Sequence, residues 1–300
     1  MRPAWSVVLL TTLLGAGQGL FLAVLVSGLF LPLQGDFVVF ATGASLVICA
    51  AGLAASFFHL GRPERAWRAA AMWRTSWLSR EVIAIPLFMA LAAAYGAMLW
   101  LGMRQGALLA GALAAAACLA LYVCTGMVYA SLKFLQEWHS PLTVLNFLLL
   151  GTASGLTLAA ALASALDPAF AKTYSIAALT ATLAAAAARG FSLRRSARLR
   201  PRSSLQTAIG IRHPKIAQKS QGAMGGSFNT REFFHGEPPS RVAAMKWGFL
   251  LGAFAVPAAL LALQSPALAF TVQFSGLLAE RWHFFAEARH PQNLYYQAIS

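Results

Sequence analysis

The chain has 300 residues and a formal net charge of +14, with 59% hydrophobic and only 11% charged residues. Soluble domains carry roughly a quarter charged residues, so an ordinary soluble fold is excluded. The Lys and Arg lie between apolar runs rather than on a basic soluble domain. That argues against nucleic acid and leaves anionic lipid headgroups and partner subunits as counterparts.

In chain order, the first apolar segment is Trp5–Leu33, behind Met1-Arg2. It is too long for a signal-peptide core, shows no small-residue cleavage site, and carries no twin-arginine signal, so it reads as a retained first helix. Phe37–Phe58, Val82–Leu101, Ala107–Tyr129 and Leu142–Leu166 follow, uncharged runs of 22, 20, 23 and 25 residues. A bilayer core of about 30 Å needs roughly 20 apolar residues as a helix. Shorter runs complete the set at Tyr174–Ala188, Trp247–Leu263 and Pro266–Ala279, the last extending past Glu280 into Trp282-His283. Pro257, Pro266 and the combined length favour a hairpin over one long final helix. The fold class is therefore all-α: a single integral membrane domain over 1–300, a bundle of eight transmembrane helices in which a 4+4 duplication is open. Membrane helices tolerate the Gly and Pro inside these runs.

If all eight runs cross, twenty-one basic residues fall on one side and two, Arg104 and Lys172, on the other. The positive-inside rule then predicts cytoplasmic N- and C-termini in a multi-pass protein of a bacterial inner membrane. A long basic cytoplasmic loop is expected over 189–246, with twelve basic residues in 58. Its run Arg194-Arg195-Ser196-Ala197-Arg198-Leu199-Arg200-Pro201-Arg202 suits either lipid contact or partner docking. The aromatic, glycine-flanked stretch Gly225–Gly236 is expected to pack on something.

Cys49, Cys118 and Cys124 all fall in apolar runs without the spacing of a zinc or iron–sulfur site, and read as small buried packing residues. No His lies mid-span, which argues against haem. The deepest polar residues, Gln18, Thr157 and Gln273, are uncharged, and interhelical hydrogen bonding accounts for them. A transporter would want binding groups at that depth.

Chemistry concentrates at one membrane edge. His59 closes the second span and Glu81 opens the third, on the same side, where ionisable groups are costly unless they pair or work. Between them, Pro63 and Glu64 start a short helix, with Trp67 and Trp73 at headgroup depth and arginines snorkelling to phosphate. Trp138, His139, Asn146, Glu280, Arg281 and His283 share this level. An imidazole and a carboxylate to exchange protons, with aromatics to sandwich a ring, suit a lipid-soluble, proton-coupled ligand.

Phe57-Phe58-His59-Leu60-Gly61-Arg62-Pro63, followed by Arg74-Thr75-Ser76-Trp77-Leu78-Ser79-Arg80-Glu81, resembles the DmsC family. Trp138-His139-Ser140-Pro141-Leu142-Thr143-Val144-Leu145-Asn146-Phe147 is similar to its second motif region. These are eight-helix anchor subunits of dimethyl-sulfoxide-reductase-type molybdenum enzymes, related to NrfD-like anchors. The resemblance implies three subunits. A molybdopterin catalytic subunit passes electrons through a four-cluster ferredoxin-like iron–sulfur subunit to this chain, which carries no haem or iron–sulfur cluster itself. It implies quinone or quinol as substrate, with the site roles falling on His59 and Glu81. Arg62, Trp77 and Arg80 join by proximity, and His139 and Asn146 by level. The basic face predicted inside, and the tail from Glu280 to Tyr296, resemble the SoeC-like sulfite dehydrogenase branch, so sulfite oxidation reducing quinone is expected. A quinol-oxidising reductase anchor is the main rival, and a purely structural tether a further one.

Overall fold

In the computed structural model, residues 1–217 and 235–291 are described, and their regular elements are all helical. The long helices are α1 (Trp5–Phe30), α2 (Gly35–Ser56), α3 (Trp77–Trp100), α4 (Arg104–Ala130), α5 (Pro141–Leu166) and α6 (Pro168–Ser196). After a short α7 (Leu205–Ile209) come α8 (Pro239–Ala262) and α9 (Pro266–Glu287). Helices α1 to α6 and α8 make seven that are long and apolar enough to cross a membrane. The chain is a multi-pass membrane protein. The eighth expected span lies within α9, whose 22 residues give about 33 Å of helix, a sufficient length. Its last turns carry Glu280, Arg281, His283 and Glu287, and that polarity keeps it out of the seven.

Consecutive helices form tight antiparallel pairs, α1 with α2, α3 with α4, α5 with α6 and α8 with α9. The α8–α9 break is the expected hairpin, turning at Gln264, a non-glycine residue with φ of +56°. Pro257 inside α8 has no N–H to offer the carbonyl of Ala253, four residues back. A π turn over Leu250–Ala255 absorbs the misfit, and the Gln273 side chain of α9 donates to that carbonyl at 3.3 Å.

The pairs are joined through α1 and α5. There Gly15 and Gly19 meet Gly151 and Gly155, and a Cβ on Gly155 would overlap the backbone of Gly19. Small residues let membrane helices approach this closely, which substitutes for the missing hydrophobic drive between helices in lipid. Side-chain bonds lock the same core. Gln18 Nε2 donates to the Cys118 carbonyl at 3.0 Å, Ser45 Oγ to that of Gly17 at 2.7 Å, and the Tyr122 hydroxyl to that of Gly15 at 2.9 Å. The three cysteines are buried and free, as expected. Gln18 and Gln273 do bond between helices, but Thr157 does not: its hydroxyl turns back to the Ala153 carbonyl of α5 at 2.9 Å.

The expected loop over 189–246 is shorter than its charge suggests. Helix α6 continues to Ser196 and α8 begins at Pro239, so both ends of that segment are helical. The cause on the α6 side is Arg189, which is buried by acidic partners on α9 rather than solvated. Arg194 and Arg195 then occupy the last turn, where cations complement the helix dipole. On the α8 side, Pro239 at the first position is preorganised for a helix start. Most of the stretch Gly225–Gly236 lies outside the described residues.

Candidate functional site

The ends joined by the α2–α3, α4–α5 and α6–α8 connections form the arginine-rich end of the bundle. The α2–α3 connection begins with a 3-10 turn over Phe57–His59 and continues in a 3-10 helix over Pro63–Ala70, with Pro63 at its start and Glu64 in its first turn. Trp67 and Trp73 are exposed, with Arg68 and Arg74 over their rings. His59 and Arg62 are exposed as well. Arg80 stacks on Trp77, its guanidinium carbon 4.3 Å from the ring centre, and donates to the carbonyls of Trp73 at 2.9 Å and Arg74 at 2.8 Å. Arg80 and Trp77 thus hold this loop against the start of α3.

Ser76 caps α3 by accepting from the Ser79 N–H, which orients the first turn and turns Glu81 inward. Glu81 is only 7% exposed, and Thr125 of α4 only 4%. The Thr125 hydroxyl donates to Glu81 Oε1 at 2.6 Å, a short bond. Glu81 bonds Thr125 rather than His59. The glutamate and the histidine share an end of the bundle, one buried and one exposed.

The polar groups of α5, α6 and α9 form a separate cluster. Glu280 is fully buried, with Arg189 Nε 2.7 Å from its Oε1 and Arg281 Nε 3.5 Å from its Oε2. Arg189 also reaches Glu287 at 3.2 Å, and His283 lies 3.5 Å from the same carboxylate. The Arg281 guanidinium sits 3.9 Å above the ring of Phe147, which stacks on Tyr129. Trp138, Phe284 and Phe285 enclose that aromatic group, and Trp138 Nε1 donates to the Phe284 carbonyl at 2.9 Å. Asn146 belongs to this side, donating to Ser192 Oγ at 2.7 Å with its own oxygen buried and unbonded. His139 is exposed, its Nδ1 2.6 Å from the Ala130 carbonyl. Arg195 ties the α4–α5 connection to α6, donating to the carbonyls of Gln136 and His139, both at 3.0 Å.

The seven residues expected to share a site are therefore divided. Trp77, Arg80 and Glu81 lie together on the first turn of α3, His59 and Arg62 are exposed on the preceding connection, and His139 and Asn146 belong with α5 and α6. Thr125 escapes sequence reasoning, being one hydroxyl in an apolar run. Arg189 reads in sequence as the start of a solvated loop. Gly190-Phe191-Ser192-Leu193 behind it, apolar enough to prolong a helix, is the signal that points the other way.

A cleft of about 820 Å³ opens at the same end, lined by Lys133, Glu137, Arg202, Lys246, Glu287 and Arg289 among others. Neither Glu81 nor His59 lines it. Within it, burial pushes the Glu137 carboxyl above the usual carboxylate range.

The two buried glutamates differ in what holds them. Glu280 lies between two guanidiniums, and removing its charge would leave two buried cations with one remaining carboxylate, Glu287. Glu81 faces a neutral hydroxyl, which donates to a carboxylate and accepts from a carboxylic acid equally well. Only the second arrangement allows protonation to change without stranding a buried cation.

Residues 1–211 match the model of a family described as DMSO reductase anchor subunit (DmsC). Along its whole length the chain is also 54% identical, over 325 aligned positions, to the whole of a curated protein of Allochromatium vinosum, named as the C subunit of sulfite dehydrogenase.

Proposed function

The chain belongs to the DmsC family of membrane anchor subunits, and from that membership we propose that it anchors a cytoplasmic sulfite dehydrogenase and reduces quinone beside Glu81. The observation that carries the reading is the buried Glu81 bonded to neutral Thr125 at the arginine-rich end of α3. A membrane-edge carboxyl free to change protonation is what a quinone site needs and a tether does not. In this reading a molybdopterin subunit oxidises sulfite, a four-cluster iron–sulfur subunit docks on the arginine-rich end, and both are partner chains.

Reduction of a quinone to a quinol takes two electrons and two protons. The partner supplies the electrons. Glu81 gives one proton to a quinone oxygen and is reloaded from the arginine-rich side, with His59, exposed on that face, as collector; water on the same side supplies the second proton. Arg62 and the Arg80–Trp77 stack flank the entry. His139 holds the α4–α5 connection that the iron–sulfur subunit would meet, and Asn146 ties α5 to α6 behind it. In this reading α9 is an eighth crossing, because it runs antiparallel along α8 and must share its depth. Both termini and the arginine-rich end then face the cytoplasm across a bacterial inner membrane, by the twenty-one to two distribution of basic residues. Donor, site and proton source lie on one side, so turnover moves little net charge across the bilayer.

The test is Glu81→Gln in the assembled complex. Sulfite-dependent reduction of added quinone is lost, while sulfite oxidation with a dye that takes electrons from the soluble subunits continues. Quinone reduction at the wild-type rate in that variant overturns the proposal.

A further inference from the structure

We propose that Thr125 is a positioning residue for Glu81, a two-way hydroxyl that holds the carboxyl in both of its protonation states. The first observation is a departure from habit. Thr11, Thr12, Thr42, Thr157, Ser175 and Thr180 all turn their hydroxyls back to a carbonyl four residues earlier on their own helix. That is the default for such residues in a helix. Thr125 instead reaches across to α3 and donates to Glu81 Oε1 at 2.6 Å.

The second observation is that the default acceptor is still in place. Thr125 lies inside α4, so the carbonyl of Leu121 accepts its backbone N–H and keeps a second lone pair. When Glu81 is ionised, the Thr125 hydroxyl donates to it. When Glu81 is protonated, the carboxyl O–H donates to Thr125 Oγ1, and rotation of the threonine side chain turns its own proton towards the Leu121 carbonyl. No proton leaves Thr125 in either state. Both states keep the Glu81–Thr125 hydrogen bond in a buried site, where an unpaired polar group is costly. The arginines around Glu280 cannot do this, because a guanidinium only donates.

What the proton is for rests on the quinone reading above, so the test separates the two. In the intact complex, Thr125→Val, Thr125→Ser and Glu81→Gln are compared by infrared difference spectra across a pH step. The carboxyl band present in wild type and missing in Glu81→Gln belongs to Glu81. That band is displaced in Thr125→Val and returns in Thr125→Ser. Quinone reduction falls about tenfold to a hundredfold in Thr125→Val, as expected for losing one charge-assisted hydrogen bond, and Thr125→Ser recovers most of it. A band unchanged in Thr125→Val, or one that Thr125→Ser fails to restore, overturns the role of Thr125. If the band responds as stated but Glu81→Gln still reduces quinone, the quinone reading fails and the hydroxyl assignment stands.

Discussion

Arg189 of α6 and Glu280 of α9 meet at 2.7 Å, neither more than 3% exposed. They link the end of α6 to the end of the last helix. Glu280 is shared with Arg281, whereas Arg189 has Glu287 as a second partner. Removing one member of a buried pair costs about 3–5 kcal/mol, because the other charge is left uncompensated. Glu280→Gln leaves two buried guanidiniums, Arg189 and Arg281, with Glu287 as their one remaining carboxylate, whereas Arg189→Gln leaves Glu280 paired with Arg281 and Glu287 beside His283. Thermal unfolding of the purified complex therefore ranks Glu280→Gln as the less stable. The reverse order would show that Glu287 matters more than Glu280.

His59 is exposed at the end of its 3-10 turn, and a surface proton collector can be replaced by a small diffusible base. His59→Ala lowers quinone turnover, and added imidazole restores it. Glu81→Gln is not restored by imidazole, because Glu81 is buried. Steady-state turnover with and without imidazole checks both, and an unrescued His59→Ala counts against the relay.

Glu137 supplies a pH dependence. Burial, the dominant cause, raises its carboxyl above the ordinary glutamate value. A carboxyl raised on folding contributes stability that is complete below its unfolded pKa and is lost as pH rises through the folded one. The neutral Glu137→Gln has no such loss. Its melting temperature relative to wild type should therefore rise from about pH 4, near the unfolded glutamate pKa, towards neutrality, as read by melting curves at each pH. A difference that stays flat or falls over that window would contradict the burial argument.

Topology can be read with an impermeant maleimide, because the three native cysteines are buried and give little background. Ser203 and Gln105 are both exposed, beyond α6 and at the start of α4. Ser203→Cys is labelled in inside-out vesicles and Gln105→Cys in right-side-out ones. The opposite pattern would reverse the proposed orientation and remove the cytoplasmic sulfite reading with it.

How much is legible in the sequence follows from what composition reports. Uncharged runs and turn residues mark the helices, and the break around Gln264-Ser265 marks the final hairpin, because bilayer length and backbone satisfaction are sequence-local demands. Helix ends near Arg189 and Pro239 are hidden because a charge reads as solvated until its partner is known, and Glu280 lies ninety-one residues further along the chain. Glu81 is visible as a carboxyl opening an apolar run. Thr125 is not, because its importance lies in the partner it takes on another helix. Arg80 donates to two carbonyls of its own loop, partners that its position in the sequence does not announce.

At the α1–α5 crossing, peptide rests on peptide, and no side chains stand between Gly19 and Gly155 to change rotamer. Such a joint draws its cohesion from close backbone contact, so a methyl group at either position would prise the helix pairs apart at the seam that joins them.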